Sequence, residues 1–336
     1  MANTRLEYID VAKGLLISLM VLGHILNIAT YQPEANNFVK DANMLETLYK
    51  SFYMCAFFVI TGFCSNFNKQ FTTFTKDNLK TIVLPAFTLF YITQAINLIY
   101  AGNTNMIDYL HFNFHAFFVE QGLSAWFLAS LFVARNMYWG IKRLIIKAKY
   151  RFGLLAILYV LGYYLSHRTQ NYWSYQQALM FLFFLEYGQY LRDKMGGRFS
   201  NRKFVIYLTV YIILYLYTMC VTKGDIIGIH RIIHISKTTF LSNLLMAISG
   251  SYITLYLAQK IGKSYLLQYL GKNSLIVYLL NWHIIIILWD VFHPLLGNSA
   301  FNNIVCYTSV FLLTISFCII FTNLLNIKYV RCIIGK

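Results

Sequence analysis

Residues Ile9 to Asn27 read IDVAKGLLISLMVLGHILN, and the fold turns on how this stretch is read. From Val11 onward it is long and apolar enough to cross a bilayer as a helix, yet it carries Asp10, Lys13 and His24. At about 100° per residue, the step from Lys13 to His24 returns to within about 20° of the same helix face. The step from Asp10 to His24 misses by about 40°, so the three polar groups share one stripe. At a rise of about 1.5 Å per residue, Lys13 and His24 stand roughly 16 Å apart along the axis. Ionisable side chains at membrane depth are costly, and they mark a bundle interior and a function. The structural alternative has Lys13 and Asp10 snorkelling at the helix end, with His24 as a hydrogen-bonded packing residue.

Composition sets the class. Hydrophobic residues make up 58% of the 336 and charged residues 12%, with a mean hydropathy of +0.55. A soluble domain carries about a quarter of charged residues. Ten apolar segments stand out, roughly 11–30, 48–65, 79–100, 123–141, 152–166, 175–191, 204–221, 239–258, 270–289 and 304–326. The fifth is short against the about 20 residues that a span needs. The stretch 106–120, with His111 and His115, is shorter in its apolar parts and reads as an outer loop or re-entrant piece.

Assigned to the nearest loop, Lys and Arg number 20 on the termini and even-numbered loops and 6 on the odd-numbered loops. Lys13 and Arg135 fall inside spans. By the positive-inside rule this contrast predicts an all-α, ten-helix polytopic membrane protein with both termini cytoplasmic. The net charge of +16 is therefore a topology signal. A nucleic-acid surface would need basic residues interleaved with aromatic or polar ones, and no such patch is found. The first segment lacks a small-residue cleavage site and is expected to be retained. Cys55, Cys64, Cys220, Cys306, Cys318 and Cys332 are scattered without a C-x-x-C spacing. They point to neither a disulfide framework nor a metal site.

Along the chain, Tyr53 falls in the outer third of the second segment, and Trp126 opens the fourth near the outer face. An interfacial anchor is the alternative role for Trp126. Arg135 lies towards the inner side of that segment, at a depth similar to Glu186 in the sixth, so an Arg135–Glu186 pair is its structural alternative. The basic loops KRLIIKAKYR (142–151) and RDKMGGRFSNRK (192–203) set orientation, attract anionic lipid or steer a polyanionic cytoplasmic ligand. The ninth segment runs from Leu270-Gly271-Lys272-Asn273-Ser274 through Tyr278 to Asn281-Trp282-His283. Its rise puts His283 about 20 Å above Leu270, close to the depth of His24 and Tyr53. Basic groups below and His/Tyr groups above suit a ligand whose anionic end is cytoplasmic and whose reactive end reaches up to His24.

At these residues the sequence resembles the acyltransferase 3 family of membrane O-acyltransferases, particularly its fucose-4-O-acetylase-like branch. YIDVAKGLLISLMVLGHIL is similar to the family's first helix. The likeness continues through SFYMCAFFVITGF, the Pro85 segment, LSAWFLASL, FFLEYGQYLRD and LGKNSLIVYLLNWH, and so covers the chain in order. Two departures stand out. Lys13 occupies a position where the family often has Arg, which removes the bidentate fork for a phosphate. In the second helix Tyr53 and Cys55 replace a common His and Pro, and a tyrosine is a poor base near neutral pH.

The resemblance implies transfer of an acyl group, usually acetyl, from cytoplasmic acyl-CoA to a hydroxyl of a cell-envelope carbohydrate or lipid-linked sugar. The setting it implies is a bacterial cytoplasmic membrane. One membrane domain over residues 1–336 is expected, with no appended soluble domain. The residue chemistry agrees, because an alcohol must lose its proton as it attacks a thioester, and neutral imidazole is suited to take it. His24 is thus the expected general base, by direct transfer or through an acyl-histidine. Asp10 joins the catalytic set but lies some 21 Å below His24, so its expected role is to pair with or position Lys13. Lys13 and Arg135 are the expected donor-binding cations. Tyr53, Trp126, His283 and Asn273 are the expected acceptor-contacting or orienting groups, with Tyr53 and His283 the first candidates to hold His24. No permanently bound cofactor or metal is expected, since ligand-type spacing is absent. A carrier or flippase of envelope glycans or lipids is the rival, as a buried His/Lys stripe also suits proton coupling.

Overall fold

The computed structural model describes residues 6–30, 47–100, 126–168, 172–222, 237–296 and 300–327. The stretch 106–120 with its two histidines lies outside them. The described residues are helical, with no strand. In chain order the helices are α1 (Glu7–Thr30), α2 (Tyr53–Cys64), α3 (Phe71–Asn78), α4 (Leu84–Tyr100), α5 (Trp126–Leu144) and α6 (Ala148–Ser166). There follow α7 (Tyr175–Met195), α8 (Asn201–Thr222), α9 (Phe240–Ile261), α10 (Tyr265–Lys272), α11 (Ser274–Leu296) and α12 (Ala300–Leu325). A π-helical turn, Leu79–Val83, joins α3 to α4.

Among the described residues, each of the ten apolar segments overlaps helix, and six stretches are long and apolar enough to cross a membrane. They are Glu7–Ile28, Thr47–Cys64, Asn201–Val221, Phe240–Ile261, Ser274–Leu295 and Phe301–Leu325. This is a multi-pass, all-α membrane protein. Helix α6 begins four residues before the apolar segment that announced it, because Ala148–Arg151 are already helical. The ninth segment divides. Its first residues belong to α10, Asn273 interrupts the helix, and α11 starts at Ser274.

The chain forms two compact units. One comprises the described residues of Met1–Phe57 and Gly197–Thr322, the other those of Phe58–Gly196 and Asn323–Lys336. In the first, α1 packs against α9, α10 and α11. Glycines set the approach of α10. A Cβ on Gly14 would strike the Leu267 carbonyl, and one on Gly271 would strike the Asp10 carbonyl. These two contacts also give the direction, since residue number rises along α10 as it falls along α1. Small residues that let backbones meet are the usual means of joining helices where lipid removes the hydrophobic drive. Helices α8 and α9 form an antiparallel pair, with Phe204 stacked on Tyr256, Tyr207 on Tyr252, and Thr218 bonded to Ser242 at 3.2 Å.

The second apolar stretch is not one straight helix. Residues 47–50 are helical, Ser51 and Phe52 turn, and α2 then begins. Tyr211 of α8 holds that turn, its hydroxyl 2.8 Å from Ser51 Oγ and donating to the Leu48 carbonyl, with its ring edge-on to Phe52. Phe52 fills the space that Gly250 leaves by having no side chain. The turn thereby fixes Tyr49 and Lys50.

In the second unit, Gly62 and Gly188 bring the end of α2 against α7. Phe58 stacks on Phe181 at 4.0 Å. Glu186, 1% exposed, accepts from Tyr138 at 2.5 Å and from Arg151 at 2.8 and 3.0 Å. Arg151 also donates to the Ile145 and Ile146 carbonyls at the end of α5. The structural alternative for Arg135, a pair with Glu186, is thus overturned. Arg151 takes that carboxylate because α6 starts early enough to face α7.

Candidate active site

His24 lies on α1 in the first unit, and its Nδ1 is 2.6 Å from Oδ1 of Asn281 on α11. The amide nitrogen of Asn281 donates to the carbonyls of Val277 at 2.9 Å and Tyr278 at 2.7 Å, one turn back on its own helix. Trp282 meets the imidazole edge-on, with ring centroids 5.3 Å apart. Asn27, three residues beyond His24 and so on the same face, accepts from Lys50 Nζ at 3.2 Å. Lys50 is only 3% exposed, and its ammonium lies within electrostatic reach of the His24 ring. Tyr49 packs against Gly23, where a Cβ would meet its ring at 3.0 Å, and stands edge-on to Tyr53.

The partner of His24 does come from another helix, but it is Asn281, ahead of both Tyr53 and His283. Tyr53 is buried and meets the ring of Tyr49 edge-on. His283 is buried on the same helix as Asn281, about 200° round from it. Equal depth therefore does not give it the same facing. Asn273 sits at the break between α10 and α11, where its amide donates to the Tyr269 carbonyl at 3.0 Å. Lower on α1, Asp10 is buried where Gly271 packs, and Lys13 is half-buried.

Two expected site residues lie in the second unit. The Arg135 guanidinium sits over the Phe74 ring at 5.4 Å, and its Nε is buried with no hydrogen-bond partner among the described residues. Trp126 stacks towards Phe181 at 6.4 Å.

A family model described as an acyltransferase domain, that of acyltransferase 3, matches residues 6–323. The chain belongs to the acyltransferase 3 family. No curated protein and no solved structure matches it significantly. As a member of that family the protein is a membrane acyltransferase, and the match takes in nearly every described helix.

Sequence reasoning missed Lys50, Asn27, Asn281 and Trp282. A signal exists for the first: Lys50 falls inside the apolar segment 48–65, although the loop count gives its charge to the adjoining outer loop. Asn27 and Asn281 are short polar residues in apolar helices, where they can bond across to a neighbouring helix, but hydropathy does not show which neighbour they face.

Proposed function

We propose that this protein is an O-acyltransferase of a bacterial cytoplasmic membrane, with both termini cytoplasmic. It moves an acyl group, usually acetyl, from cytoplasmic acyl-CoA to a hydroxyl of a cell-envelope carbohydrate or lipid-linked sugar. The observation that carries this reading is the held imidazole of His24 in an apolar helix, with the buried Lys50 bonded to Asn27 one turn further along that helix. The acceptor hydroxyl gives its proton to the imidazole as its oxygen bonds to the thioester carbonyl carbon. The carbon–sulfur bond then breaks, and the imidazolium returns the proton to the thiolate, which leaves as free CoA. A buried ammonium nearby favours the negative charge that develops on the carbonyl oxygen. Lys13, lower on the same helix face, is the donor-side cation. Arg135 is a second, supported by a buried Nε with no partner among the described residues and by a Glu186 already engaged elsewhere.

The test is acyl-CoA-dependent acylation of candidate envelope glycans by the purified protein. Lys13→Ala and, separately, Arg135→Ala are expected to raise the KM for acyl-CoA about tenfold, as loss of a charge-assisted hydrogen bond of about 1.5 kcal/mol would. Lys13→Arg is expected to be tolerated, since Arg forks onto phosphate. An unchanged donor KM in both alanine variants removes the donor assignment.

Orientation is tested independently. Cysteine-accessibility or fusion reporters are expected to place residues 66–78, 142–151 and 192–203 in the cytoplasm, and 101–122 and 290–303 outside. One inversion in that series breaks the ten-span reading.

A further inference from the structure

We propose that Asn281 is the positioning residue of the His24 base, locking its imidazole in the Nδ1–H tautomer so that Nε2 receives the acceptor's proton. This rests on the reading of His24 as the base.

The argument is one of donors and acceptors. An Asn side chain has two N–H donors on nitrogen and only lone pairs on oxygen. Both donors of Asn281 are committed to helix carbonyls, to Val277 at 2.9 Å and Tyr278 at 2.7 Å. Rotating the amide by half a turn would set its oxygen against those two carbonyl oxygens, so the orientation is not free. What faces His24 is therefore Oδ1, 2.6 Å from Nδ1, and it brings no proton of its own. The proton in that bond must come from the ring. A neutral imidazole carries one N–H, so Nδ1–H leaves Nε2 with the lone pair.

The bond survives both protonation states, because imidazolium keeps the Nδ1 proton. As the acceptor's O–H proton moves to Nε2, the ester C–O bond forms, the C–S bond breaks and the proton passes on to the CoA thiolate. Through these steps the Nδ1–H···Oδ1 bond need not reorganise, and preorganisation of this kind lowers the barrier. Trp282, the next residue, meets the ring edge-on, so two consecutive residues of one helix limit both its position and its tilt. A buried carboxylate does the orienting work in a hydrolase triad. Here a neutral amide does it, which spares the apolar helix α11 a carboxylate at that position.

The experiment uses full-length protein labelled with ¹⁵N-histidine, with the His24 signals assigned as those lost in His24→Gln. Wild type is expected to give the Nδ1–H tautomer, and Asn281→Ala a mixture or a change to Nε2–H. Asn281→Ala is also expected to lower kcat on the order of 10- to 100-fold, less than loss of the base itself, with the KM for acyl-CoA unchanged. Asn281→Ser keeps a polar group that its own helix can satisfy but that is too short to reach the ring, and should match the alanine variant. Asn281→Asp forfeits the bonds to Val277 and Tyr278 but still offers Nδ1 an acceptor. It is expected to retain more activity than either. A purely structural role predicts the opposite order, with Asp the worst.

An Nε2–H tautomer in wild type overturns the proposal. So does full activity of Asn281→Ser in a protein that His24→Ala inactivates, and then the base reading stands without Asn281. An active His24→Ala enzyme removes the parent reading instead. Should Asn281→Ala fail to fold, the Ser and Asp pair and the wild-type spectrum still decide.

Discussion

His24→Ala is expected to lower acyl transfer by about 10²–10⁴-fold, the usual contribution of a general base, while folded yield stays nearly intact. The cost to stability is moderate because the lost contacts are few and local. Asn281 Oδ1 loses its donor, at about 1–3 kcal/mol for an unsatisfied buried acceptor, while its amide nitrogen keeps both helix carbonyls. His24→Gln keeps a hydrogen-bonding side chain without the basicity, and is expected to be nearly as inactive. A packing role predicts the reverse, with yield lost and Gln rescuing better than Ala. The kcat/KM of wild type should rise with pH along a limb assignable to the imidazole, and that limb should be missing from residual activity of His24→Gln. Yield, monodispersity in detergent and initial rates measured on the same preparations separate the two outcomes. A fully active His24→Ala protein would make a carrier of envelope glycans or lipids the better reading.

The part of this site legible in the sequence lies along single helices, where spacing alone gives facing. Asp10, Lys13 and His24 could be put on one stripe from the helical repeat, and α1 carries all three. Contacts between helices were less accessible, because hydropathy gives depth and not azimuth. Depth favours His283 over Asn281, although the two point about 200° apart. Lys50 was hidden by a rule that works on average. Charges at span ends are normally snorkelling topology signals, but the turn at Ser51–Phe52, held by Tyr211, turns this one inward. The break at Asn273 was missed because LGKNSLIVYLL continues an apolar helical pattern without Pro. Depth pairs Arg135 with Glu186, whereas the carboxylate meets Arg151 of the adjacent helix.

That last exchange sets the second large effect. Glu186→Ala and Arg151→Ala are each expected to destabilise the protein by about 3–5 kcal/mol, because removing one partner leaves the other charge buried without compensation. Their side chains are 1% and 9% exposed. Arg151→Ala has a further consequence. The Ile145 and Ile146 carbonyls at the end of α5 lose a donor, so the tie between α5 and α6 goes with the ion pair. Tyr138→Phe removes a single hydrogen bond to the carboxylate and should cost less, about 1.5–3 kcal/mol. The double variant Arg151→Met with Glu186→Met should recover much of the loss, since replacing a buried pair by apolar groups of similar size is often neutral or better. Thermal unfolding followed by size-exclusion fluorescence in one detergent ranks all four. Below the transition, the KM for acyl-CoA should not change in Tyr138→Phe, in contrast to Arg135→Ala. A Glu186→Ala protein as stable as wild type, beside an Arg135→Ala protein that unfolds, would return Arg135 to a structural role and remove it from the donor site.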